Sequence, residues 1–192
     1  MTRISLVDQT QHLIAPYLRP GDTAIDATAG NGYDTAFLAN KVGPHGHVYV
    51  FDLQKKALTT TKGHLATLGL SHIPVRYCLS DHQHLSQQIA ENDSLNIKAI
   101  MFNLGYLPGG DKTMTTLAES TLIAIQSAVN LLATDGCLSI IAYPGHSAGA
   151  LEFTCISDWF TTLNPLSYAL KRIRIENTLR PAPEVFFIRR RR

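Results

Sequence analysis

Two textures of apolar residues alternate along the chain. Residues 23–27, 47–52, 74–78, 97–103 and 137–143 form short runs rich in β-branched and aromatic side chains, several of them closing on a polar residue. Such runs read as strands. Between them, apolar positions recur at helical spacing and predict helices over 34–42, 55–68, 82–91, 118–133 and 148–163. A further helix over 6–18 precedes the first strand and is stopped by Arg19-Pro-Gly-Asp22.

Strand alternating with helix implies a parallel sheet covered on both faces. After residue 163 the rhythm changes. Residues 166–175 and 184–190 are both strand-like, and the connector at 177–183 carries two prolines and has no room for a helix, so an antiparallel hairpin is expected. The expected fold is α/β: a seven-stranded, mostly parallel sheet ending in an antiparallel hairpin, with helices on both faces. This is the layout of Rossmann-like class I methyltransferases, and it sets an expectation of fold without establishing chemistry. Residues 1–192 are expected to form one such domain, with residues 1–20 as an N-terminal helix and 166–190 as the terminal hairpin.

With 192 residues, 45% of them hydrophobic and 17% charged, the chain is neither disordered nor a coiled coil. It has no apolar run of about 18–20 residues and no signal-peptide core at its start, so no membrane association is expected and the cytoplasm is the default location. Cys78, Cys137 and Cys155 lie far apart in apolar stretches, which suits buried reduced thiols better than disulfides or a zinc site, and no metal is expected. Charge is unevenly distributed. Residues 168–192 carry eight Lys or Arg against Glu176 and Glu184, whereas the remainder is net acidic. Such asymmetry points to a polyanionic partner, with Arg172, Arg174 and Arg180 as phosphate contacts and the arginines at 189–192 as a mobile tail that contributes less.

Candidate chemistry starts at Asp26-Ala-Thr-Ala-Gly30-Asn31-Gly32-Tyr-Asp34-Thr35, which follows the first strand and opens a helix. There a glycine turn lets backbone approach a ligand. Asp52 closes the second strand, where its carboxylate can accept two ribose hydroxyls. Thr35 stands where a dinucleotide fingerprint needs its third glycine, so NAD is disfavoured. An acidic Asp26 suits the cationic amino group of S-adenosylmethionine and would repel a pyrophosphate. Gln54, Ser80, Asp81 and His82 are placed to frame the ribose and adenine.

The fourth strand ends in Asn103-Leu-Gly-Tyr106-Leu-Pro-Gly-Gly-Asp111-Lys112, at the edge of the sheet where ligands bind. An amine acceptor must present its lone pair while its N–H bonds are held, which the Asn103 side-chain oxygen can do. Asn-x-x-Tyr matches the motif of amino-directed methyltransferases, Asn or Asp, Pro, Pro, Tyr or Phe, with Leu104-Gly105 in place of the two prolines. Tyr106 could stack on a base. Asp111 and Lys112 could pair with each other or touch substrate phosphate, and His146 could accept a proton from an alkylated amine or simply cap a helix.

These strings, together with Phe51-Asp-Leu-Gln54 and Tyr143-Pro-Gly-His146, closely resemble the bacterial family labelled rRNA methylases, whose characterised members are tRNA wobble-uridine methyltransferases. The resemblance runs from about residue 8 to residue 188. It departs at Pro144, where members often have His, and around Glu176-Asn177 and Arg180-Pro-Ala-Pro183. It implies S-adenosylmethionine-dependent methylation of the primary amine of 5-aminomethyl-2-thiouridine in the tRNA anticodon stem-loop, giving 5-methylaminomethyl-2-thiouridine, with Tyr143 on the substrate side. A homodimer is left open. Two other readings remain: a small-molecule amine N-methyltransferase, and a non-catalytic RNA-binding domain that keeps the fold.

Overall fold

A computed structural model describes residues 5–90, 93, 96–105, 115–174 and 181–192. The chain begins with α1 (Leu6–Ile14), whose start is fixed by a capping box in which Ser5 and Asp8 satisfy each other's backbone N–H groups. Pro16 converts its last turn to a 3-10 turn, Ala15–Tyr17. There follow β1 (Thr23–Asp26), α2 (Tyr33–Val42), β2 (His47–Asp52), α3 (Lys55–Thr67), β3 (Val75–Leu79), α4 (Leu85–Gln88), β4 (Ile97–Asn103), α5 (Ala118–Leu131), β5 (Leu132–Ala142), α6 (Ser147–Thr162), β6 (Tyr168–Arg174) and β7 (Glu184–Arg190).

The seven strands form one sheet in the order β3-β2-β1-β4-β5-β7-β6. β1 to β5 run parallel, β7 lies antiparallel to β5, and β6 pairs antiparallel with β7. This is the expected class I methyltransferase layout, with the hairpin closing one edge. Alternation along β4 explains the two-sided core. Ile100 and Phe102 pack under α5 and α6, while Ala99 and Met101 face the layer of α1, α2 and α3. Strand order reverses between β1 and β4, and the loops at their carboxyl ends part there to leave a crevice.

Two elements differ from the sequence reading. The helix expected over 82–91 shrinks to a 3-10 turn at His82–His84 and the single turn of α4. Polar His82, Gln83 and His84 offer no sustained apolar stripe, and Leu85 is the buried anchor of the segment. β5 starts at Leu132, earlier than the expected 137, because Leu132 pairs with Ile97 before the register breaks and resumes at Ala99 opposite Cys137. Asp135 occupies that irregularity with φ of 62°, a left-handed conformation that Asp tolerates better than most residues. Cys78 and Cys137 are buried free thiols, and Cys155 is half-buried. Among the described residues no helix is long and apolar enough to cross a membrane.

Candidate active site

The crevice at the switch point is a cleft of about 1050 Å³, walled by the loops after β1, β2, β3, β4 and β5. Its first wall is the glycine turn. Gly32 takes φ of 84°, and a Cβ there would lie 2.8 Å from the Thr61 backbone, so only glycine lets α2 start this close to α3. Opposite the turn, Asp52 Oδ2 accepts from the Gly30 N–H at 3.1 Å and Oδ1 accepts from the Gln54 N–H at 2.8 Å. Both carboxylate oxygens are thereby oriented at the cleft wall, with lone pairs left to accept from a diol. Gly30, Asn31, Asp52 and Gln54 all line the cleft.

Asp26 does not line it. Its buried carboxyl lies beneath the turn, where Oδ1 accepts from the Thr28 N–H at 3.1 Å and Oδ2 from the Thr35 hydroxyl at 2.5 Å. Burial, with the nearby Asp34 charge adding to it, pushes this carboxyl up to about 7. Asp26 therefore organises the turn from beneath and does not line the cleft; Thr35 and Gly32 are likewise internal to the turn. The carboxylate that does reach the cleft from this loop is Asp34, whose Oδ1 accepts from Gln11 Nε2 at 2.9 Å. Burial raises its pKa, and the Gln11 amide opposes that shift.

The second wall comes from Ser80, Asp81 and His82. Asp81 caps the 3-10 turn through the Gln83 N–H at 2.9 Å. The His82 ring is 7% exposed, lies edge-on to Phe102 at 5.7 Å, and stands with Nε2 3.8 Å from Asp81 Oδ1. Burial lowers its pKa against the pull of Asp81, so a neutral imidazole faces this part of the cleft.

Asn103, at the end of β4, lines the floor, and its backbone N–H donates to Thr28 Oγ1 at 2.7 Å. Tyr143 and His146 complete the far side. His146 caps α6: its Nδ1 accepts from the Gly149 N–H at 3.1 Å, and a Cβ at residue 149 would lie 2.2 Å from the Tyr143 carbonyl oxygen, so the cap requires that glycine. His146 therefore serves as the cap of α6 at the rim of the cleft. Tyr106, Asp111 and Lys112 lie outside the described residues, as does Arg180.

Glu152, in the second turn of α6, was not singled out by any motif. It is 2% exposed, and its two oxygens accept from the Thr116 hydroxyl at 2.9 Å and the Thr121 hydroxyl at 2.6 Å. Thr116 Oγ1 in turn accepts from the Gly105 N–H at 2.9 Å, and the Thr116 N–H donates to the Gly105 carbonyl at 3.1 Å. Gly105 and Thr116 are thereby clipped together and fastened to α6. Thr121 Oγ1 also stands 3.4 Å from His82 Nε2. Thr28, Gln11 and Glu152 hold the wall residues in place. Of these only Thr28, inside the glycine-turn string, carried a signal in the sequence.

The expected phosphate contacts on β6 have other partners. Arg172 Nε donates to Glu184 Oε2 at 2.5 Å and Nη1 to Ser157 Oγ at 3.0 Å, with the guanidinium 4.8 Å over the Phe186 ring. Arg174 shares the same Glu184 oxygen at 3.2 Å. The arginines expected as a mobile tail are docked: Arg189 and Arg192 bind Asp135 at 3.1 and 2.6 Å, and Arg191 donates to the Pro165 carbonyl at 3.0 Å. Among the described residues no group of three or more His, Cys, Asp or Glu could hold a metal ion.

Comparison with known proteins agrees with this architecture. Residues 48–189 match the family model described as "Putative rRNA methylase". A curated chloroplastic tRNA (mnm(5)s(2)U34)-methyltransferase of Arabidopsis thaliana is 35% identical over 158 residues, 74% of this chain and 57% of that protein. This chain therefore spans little more than half the length of that relative. The crystal structure of an rRNA methylase of the same description from Clostridium thermocellum superposes with a TM-score of 0.91 at 34% identity, covering 99% of this chain and 100% of that one. A "putative methyltransferase" from Streptococcus mutans, in complex with SAH, gives a TM-score of 0.85 at 27% identity and covers 98% and 99% of the two chains.

Proposed function

The chain belongs to the rRNA methylase family, and from that premise we propose that it is an S-adenosylmethionine-dependent tRNA methyltransferase. In this reading it converts 5-aminomethyl-(2-thio)uridine to 5-methylaminomethyl-(2-thio)uridine at the wobble position of the anticodon stem-loop. The observation that carries the reading is the pairing, at one switch-point cleft, of the backbone-oriented Asp52 carboxylate with Asn103 at the end of β4. The plant relative is named for this modification and the Streptococcus mutans neighbour for its SAH, and both support it. Residues 1–192 would act as one domain, in the cytoplasm where tRNA is modified.

The residues present fit the cofactor. Asp52 offers two fixed acceptors for a ribose diol, Gly30 and Asn31 present backbone at close range, and Gln54, Ser80, Asp81 and neutral His82 line the adjoining wall, where an adenine would lie. Asp34 supplies the negative charge for the cofactor's amino group in place of Asp26, with Gln11 holding it. When bound, S-adenosylmethionine supplies a methyl group activated by a sulfonium.

Asn103 holds an N–H of the incoming amine through its side-chain oxygen, so that the nitrogen lone pair faces the cofactor side of the cleft. Thr28 fixes the backbone that carries Asn103, and Glu152 fixes Thr116 and through it Gly105, between which Tyr106, Asp111 and Lys112 stand in the sequence. Tyr106 would stack on the base. The amine must arrive neutral, and the proton released after transfer leaves to water.

Incubation with radiolabelled S-adenosylmethionine and tRNA lacking the modification, followed by mass spectrometry of the digested nucleosides, tests this. A methyl on the 5-aminomethyl nitrogen is the expected product. Methyl on a ribose oxygen or base carbon, or transfer only to free small amines, would overturn it.

A further inference from the structure

A second concavity, of about 770 Å³, lies at the opposite, amino ends of the parallel strands. Arg19, Lys98, Arg189, Arg191 and Arg192 line it, against two acids, Asp22 and Asp135. The cleft is the electrostatic reverse: its described walls carry Asp34, Asp52 and Asp81 and neither Lys nor Arg. An RNA that places a base in the cleft finds no described cation there for its phosphates, and Arg172 and Arg174 already share Glu184.

The far concavity holds its cations in place while leaving charge in excess. Lys98 Nζ donates to the Thr134 carbonyl at 2.8 Å and Arg191 Nε to the Pro165 carbonyl, neutral partners that fix position without cancelling charge. Asp135 bridges Arg189 and Arg192, one acid for two guanidiniums, and Arg192 remains 87% exposed. Docked arginines lose less conformational entropy on meeting a phosphate than a mobile tail would. The apolar part of the wall, Pro16, Tyr17 and Leu166, gives a surface on which sugar can rest, with the Arg189 guanidinium 5.7 Å over the Tyr17 ring.

We propose that this basic concavity at the amino ends of the strands binds the sugar-phosphate backbone of the RNA whose base enters the cleft. The inference rests on the tRNA reading above and adds to it where the body of the substrate lies. β4 has seven residues and links the two poles, so they are separated by about 20 Å at roughly 3.3 Å per residue. That line runs through the sheet, so the path over the surface is longer: a hairpin trimmed to the loop and two or three base pairs, seated in the cleft, does not reach the far concavity, whereas full-length tRNA running down the side of the sheet covers it.

The test pairs RNA length with charge removal. Fluorescence anisotropy of SAH-loaded protein would compare a minimal hairpin with full-length tRNA, in wild type, in Lys98→Gln/Arg191→Gln/Arg192→Gln, and in Arg19→Gln/Arg191→Gln, which leaves both Asp135 ion pairs intact. Full-length tRNA should lose at least tenfold in affinity, and its log-log salt slope should flatten by about 0.7–0.9 for each phosphate contact removed. Minimal-hairpin binding and calorimetric cofactor affinity should not change. Unchanged tRNA affinity and salt slope in both variants, or equal loss for the minimal hairpin, would overturn the proposal. Absence of methyl transfer to tRNA by the wild type, with the variants still losing tRNA affinity, would instead sink the modification reading and leave the basic site standing.

Discussion

The hydroxyl of Thr28 accepts the backbone N–H of Asn103 at 2.7 Å, joining the loop after β1 to the end of β4 across the switch point. The side chain proposed to hold the acceptor thus takes its position from the loop proposed to hold the cofactor. Thr28→Val keeps the shape but removes the acceptor, leaving the Asn103 N–H without its partner at a cost of about 1–3 kcal/mol. Turnover should fall tenfold or more while cofactor affinity by calorimetry changes little. A variant with normal kcat would show that Asn103 is not positioned through this bond.

Asp52 is held by two backbone N–H groups, so removing its side chain frees those donors and removes the diol acceptor together. Charge-assisted hydrogen bonds contribute about 1.5–3 kcal/mol. Asp52→Ala should weaken S-adenosylmethionine binding at least tenfold with the far-ultraviolet circular dichroism unchanged. Equal affinity in isothermal titration would remove Asp52 from the cofactor site.

The parallel sheet and the cleft residues were readable because local patterns specify them: β-branched runs, a glycine turn, and polar residues at strand ends. What sequence did not disclose are partnerships between distant residues. Asp26 and Asp34 look equivalent in a string, and only the packing of α1, which brings Gln11 to Asp34, separates the buried organiser from the carboxylate in the cleft wall. Glu152 looks like a surface residue of an amphipathic helix until Thr116 and Thr121 arrive from other parts of the chain. Charge counting found the basic region of the C-terminal residues but could not see that Glu184, Ser157 and Asp135 claim several of its arginines.

Arg172 is expected to matter for stability and not for RNA. It joins Glu184 on β7, Ser157 on α6 and the rings of Phe153 and Phe186. Arg172→Gln should lower stability by about 1–3 kcal/mol, read as a lower urea midpoint, because Glu184 loses its half-buried partner. The salt slope of tRNA binding should stay as in wild type. A flattened slope with unchanged stability would restore Arg172 as a phosphate contact.

Glu152 should show an asymmetry between two substitutions. Burial holds its carboxyl above the usual range, and two hydroxyls donate to it. Glu152→Gln retains an acceptor and the side-chain volume. Glu152→Ala leaves the fully buried Thr121 hydroxyl and the Gly105–Thr116 clip without their anchor, at a cost of roughly 2–5 kcal/mol. Chemical denaturation of the two variants measures the gap. Equal stabilities would mean the network contributes nothing to the native state.

Asp26 makes the fold sensitive to pH in a direction opposite to that of a salt-bridged carboxylate. Its pKa rises from 3.8 to about 7 on folding, chiefly by burial. Between these values the native state holds a proton that the unfolded chain has released, so its contribution to stability is greatest below about pH 4 and is lost as pH rises towards 7. Asp26→Asn removes this titration and preserves the bonding pattern, because an amide oxygen can accept from the Thr28 N–H while the amide nitrogen donates to the Thr35 hydroxyl. Asp34 shifts in the same direction and its charge adds to the Asp26 shift, so the difference between the two proteins reports Asp26 together with its influence on Asp34. At roughly 1.4 kcal/mol per pKa unit, the variant should gain on the order of a few kcal/mol relative to wild type between about pH 4.5 and about pH 8. Urea midpoints at the two pH values give the comparison. A difference that does not change with pH would show that the buried Asp26 carboxyl does not titrate in that interval.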